Sequence, residues 1–71
     1  MEVTMYGTHC SQCKVMEAKL NKANIPFTYI DDEAKVVEFG RANGITMMPI
    51  VVVDGKVMNY TEAIKWLKEI A

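Results

Sequence analysis

Long apolar runs are absent from this 71-residue chain: the longest, Met47 to Val53, is broken by Pro49 and falls far short of the ~20 apolar residues a membrane helix requires. No membrane span is expected. An excess of either charge is also missing. Eight Lys and Arg residues stand against nine Asp and Glu, a formal net charge of −1, so no overall positive field exists to hold nucleic acid. No Lys or Arg precedes Lys14, and no apolar stretch of the export-signal kind precedes it either, so a cytoplasmic location is expected. Cysteine is confined to Cys10 and Cys13, and histidine to His9. Small secreted scaffolds spread their disulfides along the chain, because the stabilisation grows with the loop that is closed. A bridge over two intervening residues constrains almost nothing, so chemistry explains the pair better than stability does. Stability must come from a core. The 51% hydrophobic and 24% charged composition is that of a packed globular chain, which excludes disordered and collagen-like classes. The length predicts one small domain, residues 1–71.

What is present reads as a short alternation of strands and helices. A β-prone run at residues 2–6, containing Val3, Thr4, Met5 and Tyr6, is ended by Gly7. Cys13, Met16, Leu20 and Ala23 then recur at helical spacing while Lys14, Glu17, Lys19 and Lys22 lie off that face, predicting a helix from Ser11 to Asn24. Asn24-Ile25-Pro26 stops it, since proline disfavours helix in the residue before it and Asn tolerates a left-handed cap. Phe27 to Ile30 is a second predicted strand. Asp31, Asp32 and Glu33 place negative charge at the start of a second helix that runs to about Ala42 and is ended by Asn43-Gly44. Ile50 to Val53, the turn Asp54-Gly55 and Lys56 to Met58 predict a hairpin, and Thr61 is the expected N-cap of a last helix with Ala63, Leu67 and Ile70 on one face. The order is β-α-β-α-β-β-α: two parallel strands joined by a right-handed crossover, and an antiparallel pair.

Cys10 and Cys13 fall at the junction of the first strand and first helix. The unpaired N–H groups and positive dipole end of a helix start stabilise an anion, and the thiolate is the reactive form of cysteine. Such placement predicts a Cys10 pKa lowered below that of a free thiol. Cys13, almost one turn on, is close enough to attack a mixed disulfide held on Cys10. The alternative chemistry for a Cys-x-x-Cys pair is metal. A structural zinc wants four ligands, whereas this chain offers two cysteines and His9, with no second pair. An iron–sulfur cluster bridging two copies stays open on composition. Pro49 cannot donate to a sheet ladder and so belongs at the entrance of the third strand, which this order places beside the cysteines.

This order, with Cys-x-x-Cys after the first strand and a proline before the third, resembles the thioredoxin-fold superfamily, and within it a glutaredoxin-like redoxin. The resemblance spans essentially the whole chain. Tyr6-Gly7-Thr8-His9-Cys10-Ser11-Gln12-Cys13 stands at the family's active-site loop, Thr46-Met47-Met48-Pro49 at its Thr-Val-Pro segment, Val53 to Val57 at its hairpin, and Asn59-Tyr60 at its Gly-Gly-Tyr. The resemblance implies an α/β fold with a four-stranded mixed sheet flanked by three helices, and a cis Met48–Pro49 bond. It further implies a monomeric dithiol–disulfide oxidoreductase with no bound cofactor beyond a redox-active Cys10–Cys13 disulfide. In that reading Cys10 is the nucleophile and Cys13 the resolver, while Met48, Pro49, His9 and Gln12 meet a disulfide-containing protein substrate.

The departures sort the subfamilies. Glutathione-using glutaredoxins resemble one another in Cys-Pro-Tyr-Cys, a preceding Lys, paired glycines and an Asp-rich last-helix start. Here Ser11-Gln12, no Lys before Cys10, Met58-Asn59 and Thr61-Glu62 stand instead. Glutathione is therefore the less expected donor. Gln12 before Cys13 is similar to the redoxins that deliver electrons to ribonucleotide reductase and are recharged by thioredoxin reductase.

Overall fold

A computed structural model describes residues 1–70; the expectation of one domain over 1–71 extends to Ala71, which lies outside the described residues. The elements are β1 (Val3–Tyr6), α1 (Ser11–Lys22), β2 (Thr28–Ile30), α2 (Glu33–Ala42), β3 (Ile50–Val53), β4 (Lys56–Met58) and α3 (Tyr60–Ile70). One four-stranded sheet has the order β2-β1-β3-β4. β1 runs parallel to β2 and antiparallel to β3, and β3 runs antiparallel to β4. The predicted order and mixed pairing both hold.

Alternation along the strands divides the core in two. Val3 and Met5 of β1, Val51 of β3 and Met58 of β4 share one face, where they meet Cys13, Met16 and Leu20 of α1 and Ala63 and Leu67 of α3. Tyr6 pairs in register with Ile50 and points to the opposite face. There its ring stacks on Phe39 of α2, centroids 4.0 Å apart and planes 5° from parallel. No side chain among the described buried residues is polar or charged. Burial of this apolar surface is the main stabilising term for so short a chain.

The element ends differ from expectation where two signals compete. α1 stops at Lys22 with Ala23 as its C-cap, and Asn24 takes the left-handed conformation at φ 57°. The helix is thus two residues shorter than the periodicity alone suggests. β2 begins at Thr28, not Phe27, because pairing with β1 starts at Thr4↔Thr28. α3 is capped by Asn59, not by Thr61. The Asn59 side-chain oxygen accepts the Glu62 N–H at 2.8 Å while the Glu62 carboxylate accepts the Asn59 N–H at 3.0 Å. This reciprocal capping box satisfies two otherwise orphaned donors, and Glu62 selects Asn59 over Thr61 by its spacing.

The hairpin turn is as predicted. Asp54 and Gly55 both have positive φ, 48° and 86°, the requirement of the two-residue turn that matches strand twist. Asp54 also ties the hairpin to the start of β1: its side chain accepts the Glu2 N–H at 2.8 Å, and its own N–H donates to the Glu2 carbonyl at 2.9 Å.

Candidate active site

β1 delivers the chain to the site. Gly7 donates its N–H to the Ile30 carbonyl at 3.1 Å, extending the β1–β2 pairing by one residue. The backbone then reverses through His9, at φ 58°, into Cys10, which is the extended N-cap of α1. In most helices a side-chain oxygen fills the N-cap role; here the acceptor is sulfur. The Cys13 N–H donates to Cys10 Sγ at 3.2 Å, and the Lys14 N–H to the Cys10 carbonyl at 2.9 Å. A thiolate at Cys10 therefore meets the free N–H groups and the positive end of the α1 dipole. The two cysteines are joined as a disulfide, with Cα atoms 4.9 Å apart. They are unequal in access: Cys10 is half-buried, whereas Cys13 is 0% exposed in the core with Met16 and Leu20.

The second wall is the segment before β3. The Met48–Pro49 bond is cis, Pro49 is buried, and the Met48 carbonyl oxygen lies 3.8 Å from Cys10 Sγ. α2 holds this segment closely. Ile45 donates its N–H to the Gly40 carbonyl at 2.8 Å, and a Cβ on Gly40 would sit 2.6 Å from the Ile45 carbonyl oxygen and 3.1 Å from Met48 Cε. Only glycine permits that approach. Cys10, Gln12, Thr46, Met47 and Met48 line a shallow groove of about 400 Å³. A second hollow of about 310 Å³ continues from Gln12, Thr46 and Met47 to Asn59, Tyr60 and Thr61 at the start of α3. No charged side chain lines either hollow.

The expected site residues separate into two groups. Cys10, Gln12 and Met48 converge on the groove, with Pro49 behind them. His9 turns to the other side of the loop. Its ring stacks on Tyr29, centroids 4.8 Å apart, and its Nε2 lies 2.9 Å from the Asp31 carboxylate. Its backbone N–H donates to the Tyr29 hydroxyl at 3.2 Å. The hydrogen bond from His9 holds the exposed Asp31 carboxyl below the usual carboxylate range. Sequence reading treats Asp31 as one of three acids at a helix start and gives Tyr29 no role. The available signal is topological: parallel β1 and β2 end side by side, so the residues following each strand become neighbours.

Residues able to gather a metal do not cluster. Among the described residues no group of three or more His, Cys, Asp or Glu side chains is placed to hold an ion. No described helix is long and apolar enough to cross a membrane.

No family model matches the chain, and no curated protein matches it by sequence. Among solved structures it is similar to the glutaredoxin-like protein NrdH-redoxin from Escherichia coli, a protein described with a thioredoxin-like activity profile. The TM-score is 0.83 at 19% sequence identity, over 100% of this chain and 96% of that one. The chain therefore has the thioredoxin-like fold of the glutaredoxin type, as its element order and motif positions predict.

Proposed function

We propose that the chain is a dithiol–disulfide oxidoreductase acting on protein disulfides, as a monomer in the cytoplasm. The observation that carries this reading is the asymmetry of the pair: an accessible Cys10 sulfur capping α1, and a fully buried Cys13 bonded to it. In the reduced protein the Cys10 thiolate attacks one sulfur of a substrate disulfide. A Cys10–substrate bond forms, the substrate S–S bond breaks, and the departing sulfur takes a proton from solvent. Cys13, deprotonated, then attacks Cys10 Sγ; the Cys10–Cys13 bond forms and the second substrate sulfur leaves. Two electrons pass from the protein dithiol to the substrate. Met48 and Pro49, with Gln12, present the wall against which an extended substrate segment aligns, and the exposed Met47 side chain adds a deformable apolar contact. His9 serves this reading from the far side of the active-site loop, where its contacts with Tyr29 and Asp31 hold the loop in shape.

Thioredoxin reductase with NADPH is the proposed electron donor, and ribonucleotide reductase the proposed acceptor by resemblance. Glutathione carries two carboxylates and an ammonium group, and a binding site for it needs counter-charges. Gln12, Thr46, Met47, Asn59, Tyr60 and Thr61 supply none. Side-by-side turnover of the oxidised protein, followed by NADPH consumption, tests this. Reduction by thioredoxin reductase is expected to exceed reduction by glutathione with its reductase at least ~10-fold, about 1.4 kcal/mol of transition-state discrimination. Faster reduction by glutathione would reverse the donor assignment.

A further inference from the structure

The resolving step sets a problem in the core. Cys13 is 0% exposed, and no buried side chain among the described residues is polar or charged, yet the sulfur must lose its proton before it can attack. Burial in apolar surroundings raises a thiol pKa. Something must favour the Cys13 thiolate at that moment.

A polar group reaches this corner from β2. A Cβ placed on Gly7 would lie 2.8 Å from the Tyr29 hydroxyl and 3.1 Å from Cys13 Sγ. The hydroxyl and the sulfur thus border the same small gap, which exists because residue 7 has no side chain. The hydroxyl is held in place from its other side. His9 donates its N–H to the oxygen at 3.2 Å and stacks its ring on the Tyr29 ring, while Asp31 fixes the imidazole at 2.9 Å. An oxygen that accepts from a backbone N–H keeps its own hydrogen to donate.

We propose that Tyr29 is a positioning residue for resolution, whose hydroxyl donates across the Gly7 gap to the Cys13 sulfur as it becomes a thiolate. The inference rests on the reading of Cys13 as the resolver. The proton leaves Cys13 for solvent, the hydroxyl stays protonated and stabilises the anion, and the Cys13–Cys10 bond then forms as the Cys10–substrate bond breaks. Burial, the largest influence, pushes the Tyr29 phenol above its ordinary value, so it remains a donor wherever a thiol titrates. The titratable groups that act on the phenol are His9 in the loop, Glu17 on α1 and Asp31 beyond β2, and Cys10 is bonded to Cys13. Glu17 and Asp31 are acids that hold the phenol in its protonated form.

The test reads the thiolate directly. In a Cys10→Ser background the only thiol is Cys13, and its ultraviolet thiolate absorbance gives its pKa. Tyr29→Phe keeps the ring that stacks on His9 and removes only the hydroxyl; the Cys13 pKa is expected to rise by about one to two units, a ten- to hundredfold loss of thiolate below the pKa. Fluorotyrosine placed at position 29 keeps the shape and is a stronger donor, so it is expected to lower the same pKa; it also serves if the Phe variant does not fold. With both cysteines present, Tyr29→Phe is expected to shift the pH profile of mixed-disulfide resolution upward. In a Cys13→Ser background it should leave the rate of adduct formation at Cys10 unchanged. A Cys13 pKa that neither substitution moves would overturn the role of Tyr29. A wild-type protein that reduces no disulfide would overturn the redox reading instead, and the thiolate titration would still report on Tyr29.

Discussion

Cys10→Ser is expected to abolish disulfide reduction outright, and Cys13→Ser to stop the reaction at a stable mixed disulfide. The difference follows from where the two sulfurs lie. Cys10 caps α1, accepts the Cys13 N–H at 3.2 Å and borders the groove, so its thiolate is both stabilised and reachable. With Cys10 gone, the remaining thiol is buried among Met16, Leu20 and Met5, where a substrate disulfide has no path to it. With Cys13 gone, Cys10 still attacks, but the sequence contains no other thiol to release the substrate. Intact mass after incubation with a disulfide substrate distinguishes the outcomes: unmodified protein for Cys10→Ser, and protein plus one substrate moiety, removable by reductant, for Cys13→Ser. Adducts on the Cys10→Ser protein with an inert Cys13→Ser protein would reverse the roles and contradict the placement of Cys10 at the mouth of α1.

Leu20→Ala is expected to be the most damaging of the simple core truncations on α1. Leu20 is 0% exposed, packs in the cluster with Val3, Met5, Met16 and Leu67, and its carbonyl accepts the Ile25 N–H at 3.0 Å where the chain leaves the helix. Removing a buried leucine costs about 2–5 kcal/mol from lost transfer energy and the cavity left behind. A chain of this size has only about 4–10 kcal/mol of total stability, at roughly 0.05–0.15 kcal/mol per residue. At about 4–8 °C per kcal/mol for small domains, Tm should fall by about 8–40 °C. Val37→Ala supplies the contrast. Val37 is 47% exposed on α2, and its truncation should stay within about 0.5 kcal/mol. Thermal unfolding of both oxidised proteins checks the pair. A Leu20→Ala protein with an unchanged Tm would show that this cluster is not the core.

Local chemistry explains which features were readable from sequence. Gly7, Asn24-Ile25-Pro26 and Asp54-Gly55 punctuate the chain by backbone preference alone, and each marks a real boundary, with Asn24, Asp54 and Gly55 all at positive φ. Cys13, Met16 and Leu20 share a face because helical period is a property of nearby residues, and all three are buried. The cysteine pair and Met48–Pro49 were likewise visible as short motifs at element junctions. The start of α3 was misplaced because Thr61 and Asn59 are both good cap types, and only the Glu62 spacing separates them. Met47 and Met48 are adjacent residues of one type, of which the resemblance singles out Met48. The structure divides them: Met47 is 67% exposed, whereas Met48 is half-buried with its Cε against Gly40. The His9–Tyr29–Asp31 cluster is no local motif: its members stand 20 and 22 residues from His9 and meet through the crossover that sets β2 beside β1, so only the topology signals it.

The most direct measurement of the central claim counts thiols during one turnover. Fully reduced protein, assayed for zinc and iron after purification without chelator, is mixed with one equivalent of a disulfide-bonded protein substrate, quenched with an alkylating agent and weighed intact. The account predicts metal-free protein that goes from two alkylated cysteines to none as the substrate goes from none to two, a single two-electron exchange between Cys10–Cys13 and the substrate. Stoichiometric metal on the protein, with Cys10 and Cys13 unable to exchange with the substrate disulfide, would contradict it and make the pair a ligand set.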